Sequence, residues 1–217
     1  MTRILSARAA TLSALGALAL SPPLAAEAQD SSLPVVGPVT RESWIFETSY
    51  LTPRGDFQDA IRDLEAISVT AMRSWEFASG IEAQLGGGLF SANGSTTELF
   101  SPDPPRESDA TGLRAGGRVR YNFPEVGAVR PFVDAYAGVL WTPGQPFPAG
   151  GSGVNGVYEW GGGIETSLSD TWSVAAGWRN NHISNGGGLV AHNPAWDSEG
   201  AFVSVRRKIG RGAADAS

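Results

Sequence analysis

From Leu113 to Phe123 apolar and polar residues alternate with a period of two. Leu113, Ala115, Gly117, Val119, Tyr121 and Phe123 occupy one parity, and Arg114, Arg118, Arg120 and Asn122 the other. Successive side chains of a β-strand point to opposite faces, so this segment is a strand with one apolar side and one charged side. A soluble barrel or sandwich hides its apolar face and turns its charges to water. Here the apolar positions are Gly, Ala, Val and bulky aromatics near the strand ends, the pattern of a belt that faces lipid. The charged face then lines the inside.

The same alternation recurs. In Tyr158–Leu168 the even positions Tyr158, Trp160, Gly162, Ile164 and Leu168 oppose Glu159, Glu165 and Ser167. In Val133–Trp141 the odd positions Val133, Ala135, Ala137, Val139 and Trp141 oppose Asp134. Weaker versions lie at Ser43–Leu51, Ser68–Ala78, Ile81–Ser91, Trp172–Ser184 and Ala201–Arg207, which makes eight strands. Arg73 breaks the rule, since it shares parity with Val69, Ala71, Trp75 and Phe77. It either snorkels at a membrane surface or marks a different register.

The connections also alternate. Short ones fall near Ser79-Gly80, Pro124–Ala128 and Ser169-Asp170, and long ones at Thr52–Glu65, Ala92–Thr111, Thr142–Asn155 and Gly186–Ser198. The fold class is therefore all-β, an eight-stranded antiparallel up-and-down transmembrane barrel with short periplasmic turns and long external loops. Inside it, Arg114, Arg118, Arg120 and Arg179 are expected to meet Glu82, Asp134, Glu159 and Glu165. Eight strands leave room for side chains but not for a wide pore.

Composition agrees. Gly accounts for 28 of 217 residues, no Cys is present, and the net charge is −6. The absence of Cys excludes disulfides, thiolate metal sites and thiol catalysis, and the acidic balance excludes a nucleic-acid footprint. At the N-terminus Arg3 and Arg8 precede the apolar run Ala9–Leu20 and an Ala26-Glu27-Ala28 site. Residues 1–28 thus read as a secretory signal peptide, the run being shorter than the ~18 residues that would span a membrane. Residues 29–209 are expected to form the barrel and residues 210–217 a short tail.

His182 and Ser184 stand two apart on the seventh strand, on the parity of Trp172, Val174, Ala176 and Trp178. Two residues of strand put side chains on one face ~6.6–6.8 Å apart along the axis, a gap that an imidazole and a hydroxyl bridge with a hydrogen bond. That is the contact between a nucleophile and its general base. The shared face meets lipid, where polar residues are costly and signal function. The strand enters a long loop just after Ser184, so the pair sits at the external leaflet. A base needs an orienting acid, and Asp197 and Glu199 both lie on the outward parity of the neighbouring strand. Asn185 and the backbone amides of Gly186 and Gly187 are placed to receive an oxyanion. His192 reads as a solvated loop residue. The triple-Gly runs at 86–88, 161–163 and 186–188 lack the residues and following helix of a phosphate loop.

His182-Ile183-Ser184-Asn185 followed by Asn193-Pro194-Ala195-Trp196-Asp197 resembles the signature of the lipid A 3-O-deacylase (PagL) family. Trp178-Arg179 before the His is similar to that family too, as is the stretch from Pro131-Phe132-Val133 through Gly138-Val139-Leu140-Trp141. The resemblance spans about residues 66–207, and its specific part is the His-x-Ser-Asn segment. It implies an outer-membrane barrel that removes the ester-linked 3-hydroxyacyl chain at position 3 of lipid A, with lipopolysaccharide as substrate and neither metal nor cofactor. By position it makes Ser184 the nucleophile, His182 the base, Asn185 the oxyanion residue and Asp197 the acid, with Glu199 as the alternative. Asp stands here where the well-studied form of the family has Glu, and Ala195 where Gly is usual. Two other readings remain, a non-catalytic barrel with a structural or adhesive role and another outer-membrane lipid-acyl enzyme.

Overall fold

A computed structural model describes residues 37–54, 60–98, 104–186 and 194–211. The expected signal peptide, together with Gly187, His192 and Asn193, lies outside the described residues.

Among these, eight long strands form the wall: β1 (Val39–Pro53), β2 (Ala60–Phe77), β3 (Ile81–Glu98), β4 (Ala110–Asn122), β5 (Val129–Trp141), β6 (Val154–Ser167), β7 (Trp172–Ser184) and β8 (Trp196–Arg211). Each pairs antiparallel with its sequence neighbour, and β8 pairs with β1 to close the sheet. A two-residue piece, Arg106–Glu107, pairs with the outer part of β3. The β2–β3 turn needs Gly80 at φ +83° and the β4–β5 turn has Gly127 at φ +63°, conformations that favour glycine.

The strands outrun the alternating segments at the external end. β2 starts at Ala60 and β3 runs to Glu98, and the two stay in register from Ala60↔Glu98 to Glu76↔Glu82. There the inward face stays buried, with Leu64, Ala66 and Ala92 at 2% exposure or less, while Asp63 and Glu65 are exposed, so the alternation continues with its polarity reversed. At the other end β8 continues through Gly210 and Arg211, paired with Glu42 and Arg41. Backbone pairing with β1 therefore holds these two residues in the sheet.

Polarity is inverted relative to a soluble protein. Leu85 is 61% exposed and Val119 60%, whereas Arg118 is 2% and Arg120 1% exposed. Soluble monomers rarely expose contiguous apolar area beyond a few hundred Å², so this apolar wall belongs in a bilayer. Arg73 does point outward, as its parity requires. It is ion-paired with Glu42 and lies over the Trp44 ring, 5.9 Å from the centroid.

The lumen is filled. Arg114 meets Glu159 at 2.8 Å, Arg120 meets Glu165 at 3.3 Å and Asp134 at 3.4 Å, and Arg179 meets Asp134 at 2.9 Å. Several members escape the sequence reading, among them Glu47 and Arg206. Glu47 on β1 is shared by Arg118 and Arg179, and Arg206 on β8, not one of the named arginines, forms Glu82's ion pair at 2.9 Å. Above this polar layer, residues 142–153 fold over the external mouth. Phe147 packs edge-on against Phe90 (5.3 Å) and Trp196 (5.6 Å), all three fully buried.

Candidate active site

The site is built by the β7–β8 pair at the external end. Register sets His182 opposite Asp197 and Ile183 opposite Trp196. Ile183 and Trp196 point inward and are buried, so their neighbours His182, Ser184 and Asp197 must point outward. Trp196, held against Phe147, fixes the backbone from which Asp197 projects. The Asp197 carbonyl also accepts the Arg54 backbone N–H at 3.0 Å, which ties the start of β8 to the end of β1.

The imidazole of His182 bridges two oxygens. Nδ1 lies 2.9 Å from Asp197 Oδ1, and Nε2 lies 3.0 Å from Ser184 Oγ. The neutral ring with its proton on Nδ1 satisfies both: Nδ1–H donates to the carboxylate, and the Ser184 hydroxyl donates to Nε2. That tautomer leaves the ring able to take the serine proton, with Asp197 holding its orientation. The three groups are only partly accessible. The His182 and Asp197 side chains are 31% and 21% exposed, and Ser184 is 8% exposed.

Glu199 is elsewhere. It faces Asn180, two residue pairs below His182, and its backbone carbonyl accepts the Thr52 hydroxyl at 3.3 Å. The acid in contact with the ring is Asp197. Asn180, on the outward face between Trp178 and His182, accepts a hydrogen bond from Arg54 Nη1 at 2.9 Å.

Past Ser184 the chain leaves the sheet through Asn185, which is 8% exposed, and Gly186 at φ +67°. The Asn185 and Gly186 amides follow the nucleophile directly in the chain, and an oxyanion at Ser184 would need donors from this neighbourhood.

On its other flank β7 pairs with β6, which the sequence reading did not connect to the site. Gly156 lies opposite Ser184, and Tyr158 opposite His182. The Tyr158 and His182 rings are 6.4 Å apart between centroids and 36° from parallel. Parity put Tyr158 on the outward face, but only the hairpin register shows which residue it faces.

These observations define a class: an outer-membrane β-barrel with a hydrogen-bonded Ser-His-Asp array on its lipid-facing wall, at the long-loop end. No family model matches the chain, and neither does any curated protein. Among solved structures it is similar to the outer membrane protein OprG from Pseudomonas aeruginosa, at 13% identity and a TM-score of 0.49, over 80% of this chain and 98% of that one. It is also similar to the outer membrane protein AlkL in DMPC lipid bilayers, at 13% identity and a TM-score of 0.43, over 88% of this chain and 97% of that one.

Proposed function

We propose that this barrel is a serine esterase that removes an ester-linked 3-hydroxyacyl chain from lipid A in the outer leaflet. The observation that carries the reading is the continuous contact Ser184–His182–Asp197, at 3.0 and 2.9 Å, on a wall that faces lipid. A structural barrel gains nothing from polar groups there, since each costs free energy near hydrocarbon. An enzyme for lipid needs its nucleophile at that height and on that side.

In the reaction, Ser184 Oγ attacks the ester carbonyl as its proton passes to His182 Nε2. The Oγ–C bond forms and the carbonyl oxygen becomes an oxyanion facing the Asn185 and Gly186 amides. Asp197 stabilises the imidazolium. The bond from carbon to the sugar oxygen then breaks, and Nε2–H protonates that leaving oxygen. A water molecule gives a proton to Nε2 and attacks the acyl-enzyme. The released Oγ recovers the proton, and the fatty acid departs. Every proton is handled by His182, so neither metal nor cofactor enters the scheme.

The test is mass spectrometry of lipid A from cells that express wild type or Ser184→Ala, with both proteins shown to be folded in the outer membrane. Wild type removes one 3-hydroxyacyl group and S184A removes none. An S184A barrel that still released the chain would overturn the mechanism. An unmodified lipid A with both proteins would favour the non-catalytic barrel.

A further inference from the structure

Three of the four sides around Ser184 Oγ are accounted for. His182 Nε2 lies towards the membrane, the Asn185–Gly186 amides lie beyond the rim, and Asp197 belongs to the β8 flank. The fourth side belongs to β6, and it carries no side chain where it meets the nucleophile, because Gly156 is the residue opposite Ser184.

What occupies that side is the ring of Tyr158. A Cβ built on Gly156 would stand 3.2 Å from Tyr158 Cε2, 3.4 Å from its hydroxyl and 3.5 Å from the Ser184 carbonyl oxygen. The phenol therefore lies along its own strand, over the glycine, and brings its hydroxyl level with the row that holds Ser184. Paired strands are ~4.8 Å apart, so one substrate group separates that hydroxyl from the nucleophile. Among the described residues no hydrogen bond involves the Tyr158 hydroxyl, and the residue is 46% exposed. Gly156 has an ordinary φ, so it is there for the space it leaves and not for its backbone.

In the tetrahedral intermediate the reacting carbon carries Oγ, the oxyanion, the leaving sugar oxygen and the acyl chain. The oxyanion takes the rim side and the leaving oxygen takes the His182 side. The chain is left with the Gly156 side, where its first carbons pass the phenol before the hydrocarbon runs down the wall. An unsubstituted chain gives the hydroxyl no partner at that point, whereas an oxygen on the carbon β to the carbonyl does.

We propose that Tyr158 is a specificity-determining residue that hydrogen-bonds the β-hydroxyl of the acyl chain under attack. The proposal rests on the esterase reading above and adds to it a reader of the acyl group. Tyr158 leaves the triad's bonds untouched, so it sets which ester is cleaved and takes no part in proton transfer.

The experiment uses the full-length barrel in detergent micelles and two synthetic glucosamine lipids that differ only in the β-hydroxyl of the ester-linked chain. Wild type is expected to prefer the hydroxyacyl ester by about tenfold in kcat/KM, the size of effect one net hydrogen bond gives. Tyr158→Phe keeps the ring and loses the hydroxyl. It should bring the ratio close to one through a higher KM for the hydroxyacyl ester, with the plain ester unaffected. Shifted mobility of unheated samples on SDS gels confirms that Y158F is folded. A folded Y158F that keeps the wild-type preference, or a wild type without preference, overturns the role of Tyr158 while the esterase stands. A wild type that cleaves neither ester, like S184A, overturns the esterase reading and this proposal with it.

Discussion

Asp197 and Glu199 are two residues apart on one face, and their side chains differ in length by a single methylene, yet only Asp197 is level with the imidazole. Replacing Asp197 by Asn preserves the shape and removes the charge. It also lets an amide N–H face Nδ1, which favours the tautomer that cannot accept the serine proton. We expect D197N to lower kcat by about 10³–10⁴-fold, as loss of the orienting carboxylate does in other serine hydrolases. Glu199→Gln should stay within about threefold of wild type. Initial rates of fatty-acid release by the purified barrel check both values, and equal losses in the two variants would remove Asp197 from its role. At this scale the sequence was legible through parity: it placed His182, Ser184 and both acids on the outward face. It could not choose between the acids without family resemblance, because the β7–β8 register is set across the loop at 185–195, where no periodicity exists. Gly156 and Tyr158 were hidden for the same reason, since what matters about them is which residues stand opposite.

At the scale of the strand pair, the triple-Gly run at 161–163 lets β6 and β7 approach closely below the site. A Cβ on Gly161 would stand 2.1 Å from the Trp178 carbonyl oxygen and 2.8 Å from the Arg179 Cα. Both are backbone atoms of the partner strand, so a methyl group there can only force the strands apart. The same pairing aligns Tyr158 with His182 and Gly156 with Ser184. Gly161→Ala is expected to destabilise the barrel by about 1–3 kcal/mol, the usual cost of overpacking. Denaturant titration of the protein folded into lipid vesicles, read by gel mobility, measures it, and an unchanged midpoint would show that the pair tolerates the spacing. Eight alternating runs made the strands themselves legible. Their long-loop extensions were not, because there the polarity reverses: Leu64 and Ala66 point in and are buried while Asp63 and Glu65 are exposed, the opposite of the lipid-facing pattern.

Across the whole molecule the chemistry is divided by the wall. The interior is a plugged charge network, and the candidate site lies outside it on the same strands. Arg179 and His182 are three residues apart on β7, but Arg179 points in and His182 points out. Glu47 is the hub of the interior. It accepts from Arg118 at 2.8 and 3.0 Å and from Arg179 at 2.5 and 3.1 Å, and it is 5% exposed. Such pairs add little net stability when intact, since desolvation offsets attraction, but breaking one strands a buried charge at a cost of about 3–5 kcal/mol. Glu47→Gln leaves two guanidiniums short of one carboxylate, although Arg179 keeps Asp134 and Arg118 keeps a longer contact with Glu159 at 3.5 Å. The unfolding midpoint in vesicles should therefore fall, with a loss at or below the lower end of that range. Esterase activity per folded barrel should not change, because Glu47 is not among the groups that hold Ser184, His182 or Asp197. Loss of activity in a fully folded E47Q barrel would mean that the lumen positions the outer face, and that the wall transmits strain where this reading treats it as rigid.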